Sequence, residues 1–486
     1  MNRLLSLNPL TFRSGIKGDL AVTFINGLGL ITGILILYGL IARIMGLEAL
    51  GEFLLVRRTA FSLINVLLLG MNIGLPFFIS KGGDNTYGTS ALLLFGLLTV
   101  PLVIVAAVAL DLGILSGFPP ELALPFFIFT TAFTFQALTY GLLRGHLNIL
   151  GANLLQLLGT GIIPISIFLI VYNLGMPLIF VTIGLGTVTL STVAYFFKMG
   201  RGYYTVDWQK MWQLLTYSIR RVPTFAADFI LIAGVPLLIV SEVSKAEVAY
   251  VNSGISLIRL FLVLVSPLSV VLLPRVSKAL AAGKKAPVAH NLEVLCKIVL
   301  LTAVPLATLL SVNASVILRT WLGSESVTGA WVVELIVLGL PFYLIMEALR
   351  SPIDAATSRG YNSLAHGAAA LALLITFYGL KTAGMLSIKA GVISFVIGCM
   401  TVAATSLYYA YKLYSVNILC PRYLMTVLGV TGGILLLHYA INTVMPGFLS
   451  FLIGAVALGT GLCLYFSKSR SEWVVGFRAL VMTGKE

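Results

Sequence analysis

Residues 20–42 read LAVTFINGLGLITGILILYGLIA, 23 residues without a charge. A helix rises about 1.5 Å per residue and a bilayer core is about 30 Å thick, so this run is long enough to cross it. The run follows Arg3, Arg13 and Lys17. It is too long for the apolar core of a signal peptide, and no small-residue cleavage site leads into a soluble domain. It reads as a first, retained span.

The same pattern recurs along the chain. Apolar runs at 20–42, 55–80, 89–110, 123–143, 151–172, 177–197, 219–240, 249–273, 293–317, 330–349, 364–380, 390–411, 423–441 and 447–466 predict an all-α polytopic membrane protein of about 14 transmembrane helices. Composition agrees: of 486 residues, 59% are hydrophobic and 10% charged, with mean hydropathy +1.04. Soluble chains carry about 25% charged residues, so a water-soluble enzyme is excluded. Disorder is excluded by the apolar content. The four cysteines, Cys296, Cys399, Cys420 and Cys463, show neither metal nor disulfide spacing.

The net charge of +14 points to membrane topology rather than to nucleic acid, because no soluble basic domain is present to bind one. With the N-terminus inside, 22 of the 31 Lys and Arg residues fall on the cytoplasmic side, 5 outside and 4 within spans. This asymmetry supports an even count of spans with both termini cytoplasmic. The stretch 198–218 mixes Tyr203, Tyr204, Trp208 and Trp212 with Lys and Arg, the composition of an interfacial amphipathic helix. It sits where a linker between two six-helix halves would lie. Leu50-Gly51-Glu52-Phe53 and Val248-Ala249-Tyr250-Val251, 198 residues apart, hint at that duplication.

A charge at mid-bilayer costs about 2.5–3.5 kcal/mol on insertion scales, so it usually faces a cavity. Arg58, Ser62, Asn65 and Asn72 share one face of the second span, and Asn252, Ser256, Arg259 and Ser266 one face of the eighth. Arg221, Thr224 and Asp228 align on the seventh, and Asn153, Gln156 and Thr160 on the fifth. These faces predict a wet, partly cationic cavity between the halves. Its candidate substrate-binding residues are Arg57, Arg58, Asn65, Asn252 and Arg259. Arg57 and Arg58 lie near the predicted outer interface, so snorkelling is open for them. Asp228 either titrates for ion coupling or neutralises an arginine. Prolines within spans, Pro76, Pro164, Pro236 and Pro305 among them, predict kinks.

No P-loop, metal-spaced His/Cys cluster or G-x-S-x-G elbow is present, and no long outer loop carries a catalytic acid. The expectation is a protein that is not an enzyme and has no cofactor or metal.

Ile41-Ala42-Arg43-Ile44-Met45-Gly46, then Leu50-Gly51-Glu52-Phe53, resembles the end of the first helix in the multidrug/oligosaccharidyl-lipid/polysaccharide (MOP) exporter superfamily. Leu69-Gly70-Met71-Asn72-Ile73-Gly74, Pro274-Arg275-Val276-Ser277 and Trp321-Leu322-Gly323 resemble its later landmarks, in order. The branch most similar is the polysaccharide transporter (Wzx-type) flippases, with the lipid II flippases as neighbours. The resemblance implies an N-lobe over 1–200, a C-lobe over 201–415, and two extra helices with a cytoplasmic tail over 416–486. It implies a flippase of the bacterial inner membrane that moves an undecaprenyl-pyrophosphate-linked oligosaccharide by alternating access, for envelope polysaccharide biosynthesis. The implied partners are that lipid-linked oligosaccharide, membrane lipids, a proton or sodium ion, and polysaccharide assembly proteins. Arg58 and Arg259 fall on helices where the family carries cavity arginines. The alternative is a MATE-like cation-coupled exporter of drugs or metabolites, for which acids would dominate the cavity.

Overall fold

The structure is a computed structural model. It describes residues 16–82, 85–112, 120–200, 205–283, 285–357, 359–416, 421–444 and 447–468. Arg3, Arg13, Arg201, Tyr203, Tyr204 and the tail beyond 468 lie outside the described residues. Among the described residues there are helices and no strand.

Contacts divide the chain into two compact units, Met1–Lys245 and Ala246–Glu486. The first contains α1 (Ile16–Met45), α2 (Leu47–Leu67), α3 (Met71–Gly82), α4 (Thr86–Leu94), α5 (Val100–Asp111), α6 (Ala123–Gly145), α7 (Ile149–Gln156), α8 (Ile163–Val171), α9 (Met176–Met199), α10 (Trp208–Ile219) and α11 (Val222–Ile239). Widened π-turns at Phe95–Thr99 and Leu157–Ile162 join α4 to α5 and α7 to α8 as single spans. α12 (Lys245–Ala281) leads into the second unit. It is followed by α13 (Lys285–Val312), α14 (Ala314–Leu322), α15 (Ala330–Ile336), α16 (Leu340–Ala356), α17 (Tyr361–Thr382), α18 (Ser387–Tyr414), α19 (Pro421–Val444) and α20 (Phe448–Lys468).

Among the described residues, eleven helices are long and apolar enough to cross a membrane, and twelve when the bent pair α2–α3 counts as one. α12 and α20 stand where the sequence predicts the eighth and fourteenth spans. The chain is an integral membrane protein.

In lipid the hydrophobic effect does not drive helices together, so close packing and interhelical hydrogen bonds must do so. In the first unit α6 is the hub, packed against α2, α3, α5, α7 and α9. Gly145 of α6 lets Ile79 of α3 approach; a Cβ there would lie 2.8 Å from the Ile79 Cβ. Tyr195 of α9 donates to the Gly88 carbonyl at 2.6 Å. The polar face of the fifth span is used in the same way. Asn153 accepts from Asn26 at 3.5 Å and donates to Thr23 at 3.3 Å, both on α1. Gln136 of α6 donates to the Leu155 carbonyl at 2.9 Å and accepts from Thr160 at 3.4 Å. Gly159, beside it, has no Cβ to obstruct the Gln136 amide. The sequence reading gave these side chains to a cavity; Asn153 and Thr160 instead hold helices together.

The second span departs most from its prediction. It begins at Leu47 rather than 55, and breaks by 49° between α2 and α3. The break is at Leu69 (φ 51) and Gly70 (φ 77), not at Pro76. Left-handed backbone suits glycine and is rare for leucine. The peptide groups freed by the break find partners, as they must in lipid. Thr99 of the first π-turn donates to the Leu67 carbonyl at 3.0 Å. Gly70 N–H donates to the Asn65 carbonyl at 3.0 Å. Asn72 donates its side-chain amide to the Asn65 Oδ1 at 2.9 Å, bridging the two halves. The end of α10 rests on the break: a Cβ on Gly70 would lie 2.5 Å from the Ser218 carbonyl oxygen.

In the second unit α18 packs against α16 and α17, and α13 against α16 and α19. Tyr414 of α18 donates to the Pro352 carbonyl of α16 at 2.6 Å. Tyr423 of α19 donates to the Lys297 carbonyl of α13.

Gly70→Ala should cost about 2 kcal/mol, from strain at positive φ and the collision with Ser218. Gly432→Ala in α19, where a Cβ would meet nothing within 4 Å, should cost nothing. Thermal unfolding of the two purified variants in detergent measures the difference; equal midpoints would contradict it.

Candidate functional site

Because α2 starts at Leu47, Arg57 and Arg58 lie ten and eleven residues along it. That is about 15 Å of helix, so both arginines lie near the middle of Leu47–Leu67 rather than at the start of a span. The sequence reading started the span late because Glu48 and Glu52 looked like a loop. Glu52 is instead in the helix, 2.8 Å from the Lys245 ammonium. Gly51, one residue earlier, has no side chain and so admits the Lys245 backbone.

The two arginines differ in setting. Arg57 is half-buried, its guanidinium 4.6 Å from the centre of the Phe61 ring and 5.4 Å from that of Tyr38. It also donates to the Tyr38 hydroxyl. Phe61 and Tyr38 belong to a larger aromatic cluster with Phe53, Phe129, Phe133 and Phe180. A desolvated cation over ring faces gains about 2 kcal/mol, which offsets much of the insertion cost. Arg58 points to another side of the helix and is 8% exposed. Its helix packs along α11, where Asp228 is half-buried six residues from the helix start.

Asn65 sits at the end of α2, holding Asn72 across the break. In the second unit, Asn252 is fully buried in α12 and donates to the Val248 carbonyl one turn back at 3.0 Å. Ser256 donates to the Asn252 carbonyl at 2.7 Å. Arg259 is exposed, fourteen residues into a 37-residue helix. The face therefore runs from a buried amide to an exposed guanidinium. Ser266 lies among residues whose side chains are outside the described set. Among the described residues no cluster of three His, Cys, Asp or Glu could hold a metal.

At the end of the first unit that carries α10, Asp207 caps that helix, accepting from Lys210 N–H at 3.0 Å. This backbone hydrogen bond holds its carboxyl below the usual range. Trp208 and Trp212 are both 66% exposed, whereas Leu214 and Ser218 are buried against α3 and α4. The amphipathic helix expected within 198–218 is thus present over Trp208–Ile219.

Residues 231–358 match the MatE family model. Among solved structures, the chain is similar to the lipid II flippase MurJ in an inward closed conformation, with TM-score 0.73 and 16% identity over 94% of this chain and 99% of that one. It is also similar to an inward-facing multidrug resistance MATE family transporter of the MOP superfamily, with TM-score 0.59 and 15% identity over 83% and 98%. The chain has the fold of the MOP exporters. No curated protein sequence matches it.

The sequence reading missed Tyr38 and Phe61 as the groups that hold Arg57. Phe61 was visible, being four residues on and therefore on the same helix face; Tyr38, on another helix, was not. Arg57→Lys should lose about 1 kcal/mol of stability, because an ammonium cannot stack its plane on both rings. Phe61→Leu should lose a similar amount, and the double variant less than the sum. Thermal unfolding of the four-member cycle checks this; strict additivity would contradict the stacking.

Proposed function

We propose that the chain is a flippase for a lipid-linked oligosaccharide diphosphate, working by alternating access. The observation that carries this reading is Arg58, a buried guanidinium near the middle of the helix Leu47–Leu67. Arginine makes charge-assisted, often bidentate contacts to phosphate, stronger where water is excluded. Arg259, fourteen residues into α12, is a further cationic group within a span, and Arg57 another whose orientation the rings set. Asn65 lies on the same helix as Arg58, and Asn252 on the same helix as Arg259. The similarity to a structure titled as a lipid II flippase supports a lipid cargo. On this reading the protein works in the bacterial inner membrane with both termini cytoplasmic, and supplies envelope polysaccharide synthesis. Its lobes are 1–200 and 201–415. Polysaccharide assembly proteins are its partners and a proton or sodium ion drives it.

A second reading, a MATE-like cation-coupled exporter, is favoured by the MatE match and by Asp228, a carboxylate within a span. The two readings differ in the sign of the cargo. A flippase needs Arg58 and Arg259; an exporter of cations needs Asp228 first.

In cells that depend on this protein for a surface glycan, Arg58→Ala and Arg259→Ala should each lower that glycan at least tenfold at normal protein level. Asp228→Asn should abolish resistance to cationic drugs only under the second reading. Unchanged glycan in both arginine variants would overturn the first.

A further inference from the structure

The first unit has an apolar groove of about 470 Å³ lined by Leu92, Leu93, Gly96, Leu97, Phe196 and Val206, with Thr89 at its polar end. Its floor is the π-turn Phe95–Thr99 that joins α4 to α5. Such turns are costly and gather at functional positions. Here the extra residue widens the helix, and Gly96 leaves the widened face open: a Cβ on it would meet nothing within 4 Å. Leu97 and Phe196 are 55% and 47% exposed on two membrane spans, so the groove opens toward acyl chains rather than water.

One end of the groove is closed by Val206, two residues before α10. Lys210, one turn into that helix, donates from its Nζ to Thr86 at 3.0 Å. Thr86 lies one turn from Thr89, which lines the groove. Trp208, 66% exposed beside them, marks this end as the membrane interface. Two lysines, Lys198 and Lys210, stand on either side of Val206, with the acid Asp207 3.5 Å from the Lys210 ammonium. That local excess of positive charge suits an anionic headgroup.

We propose that this groove is a binding site for one acyl chain of an anionic diacyl phospholipid, whose headgroup sits at the Lys210 end. The site uses neither Arg58 nor Arg259 and does not depend on what the protein carries. Its consequence is mechanical. Thr99, in the π-turn, is the side chain that satisfies the Leu67 carbonyl at the break in the second span. A chain seated along the turn braces the geometry that holds the break.

The test uses the full-length protein in phosphatidylcholine vesicles doped with phosphatidylglycerol bearing a diazirine on one acyl chain. After irradiation, label should appear on the peptides carrying Leu92–Leu97 and Phe196. A phosphatidylcholine probe with the same tail should give at least threefold less. Gly96→Ala should keep the label. Gly96→Trp, which fills the groove, should lower it at least fivefold. Leu97→Trp serves in its place if Gly96→Trp unfolds on heating earlier than wild type. Three outcomes would overturn the proposal: equal label in the filled variants, equal label from the two headgroups, or label from a diazirine-tailed polyprenyl diphosphate with none from phosphatidylglycerol.

Discussion

A helix that breaks inside a membrane must give its freed peptide groups new partners, because lipid offers none. The second span breaks at Leu69–Gly70, and several features of the first unit meet that requirement. Thr99 reaches the Leu67 carbonyl from a π-turn that sets its position. Asn72 reaches back to Asn65. Gly70 and Gly74 leave room for Ser218, so the end of α10 lies directly on the break. Phe77 of α3 stacks on Tyr217 of α10 at 4.6 Å, and Arg221 lies over the same tyrosine at 4.3 Å. The bend thus ties a membrane span to a helix whose exposed tryptophans belong at the bilayer surface.

The same span carries the charges. Two adjacent arginines within one span would cost up to about 5–7 kcal/mol together on insertion scales. Arg57 recovers part of this from Phe61, Tyr38 and the aromatic cluster behind them. That arrangement fixes its direction, as a structural guanidinium requires. Arg58 is buried on the same helix, which packs along α11, the helix with Asp228. Neighbours in sequence thus have different surroundings, and the functional reading rests on the second arginine more than on the first.

Much of the fold was legible because hydropathy in lipid is a strong constraint: spans must be long, apolar and internally hydrogen-bonded. Trp208 and Trp212 among basic residues identified α10 for the same reason. What escaped had no local signature. The start of α2 was hidden because Glu52 finds Lys245 in space, nearly two hundred residues away. The π-turns use ordinary residues. The break rests partly on a leucine in a conformation that leucine rarely adopts. Polar stripes were read as cavity walls, yet Asn153 and Thr160 serve helix packing, bonding to Asn26 and Gln136 of other helices. Periodicity shows that polar groups share a face; it does not show what that face meets. For the candidate site, the residue types and the helices of Arg58 and Arg259 were readable, but the rings that hold Arg57 were not.

The cargo's charge decides between the two transport readings. The direct measurement is movement across proteoliposome membranes of two fluorescent lipids with the same polyprenyl tail, one ending in a diphosphate sugar and the other in a quaternary ammonium. Wild-type protein should move the diphosphate lipid and leave the ammonium lipid in place, and Arg58→Ala should stop that movement. Transfer of the ammonium lipid instead, or diphosphate movement undiminished without Arg58, would contradict an anion-carrying flippase.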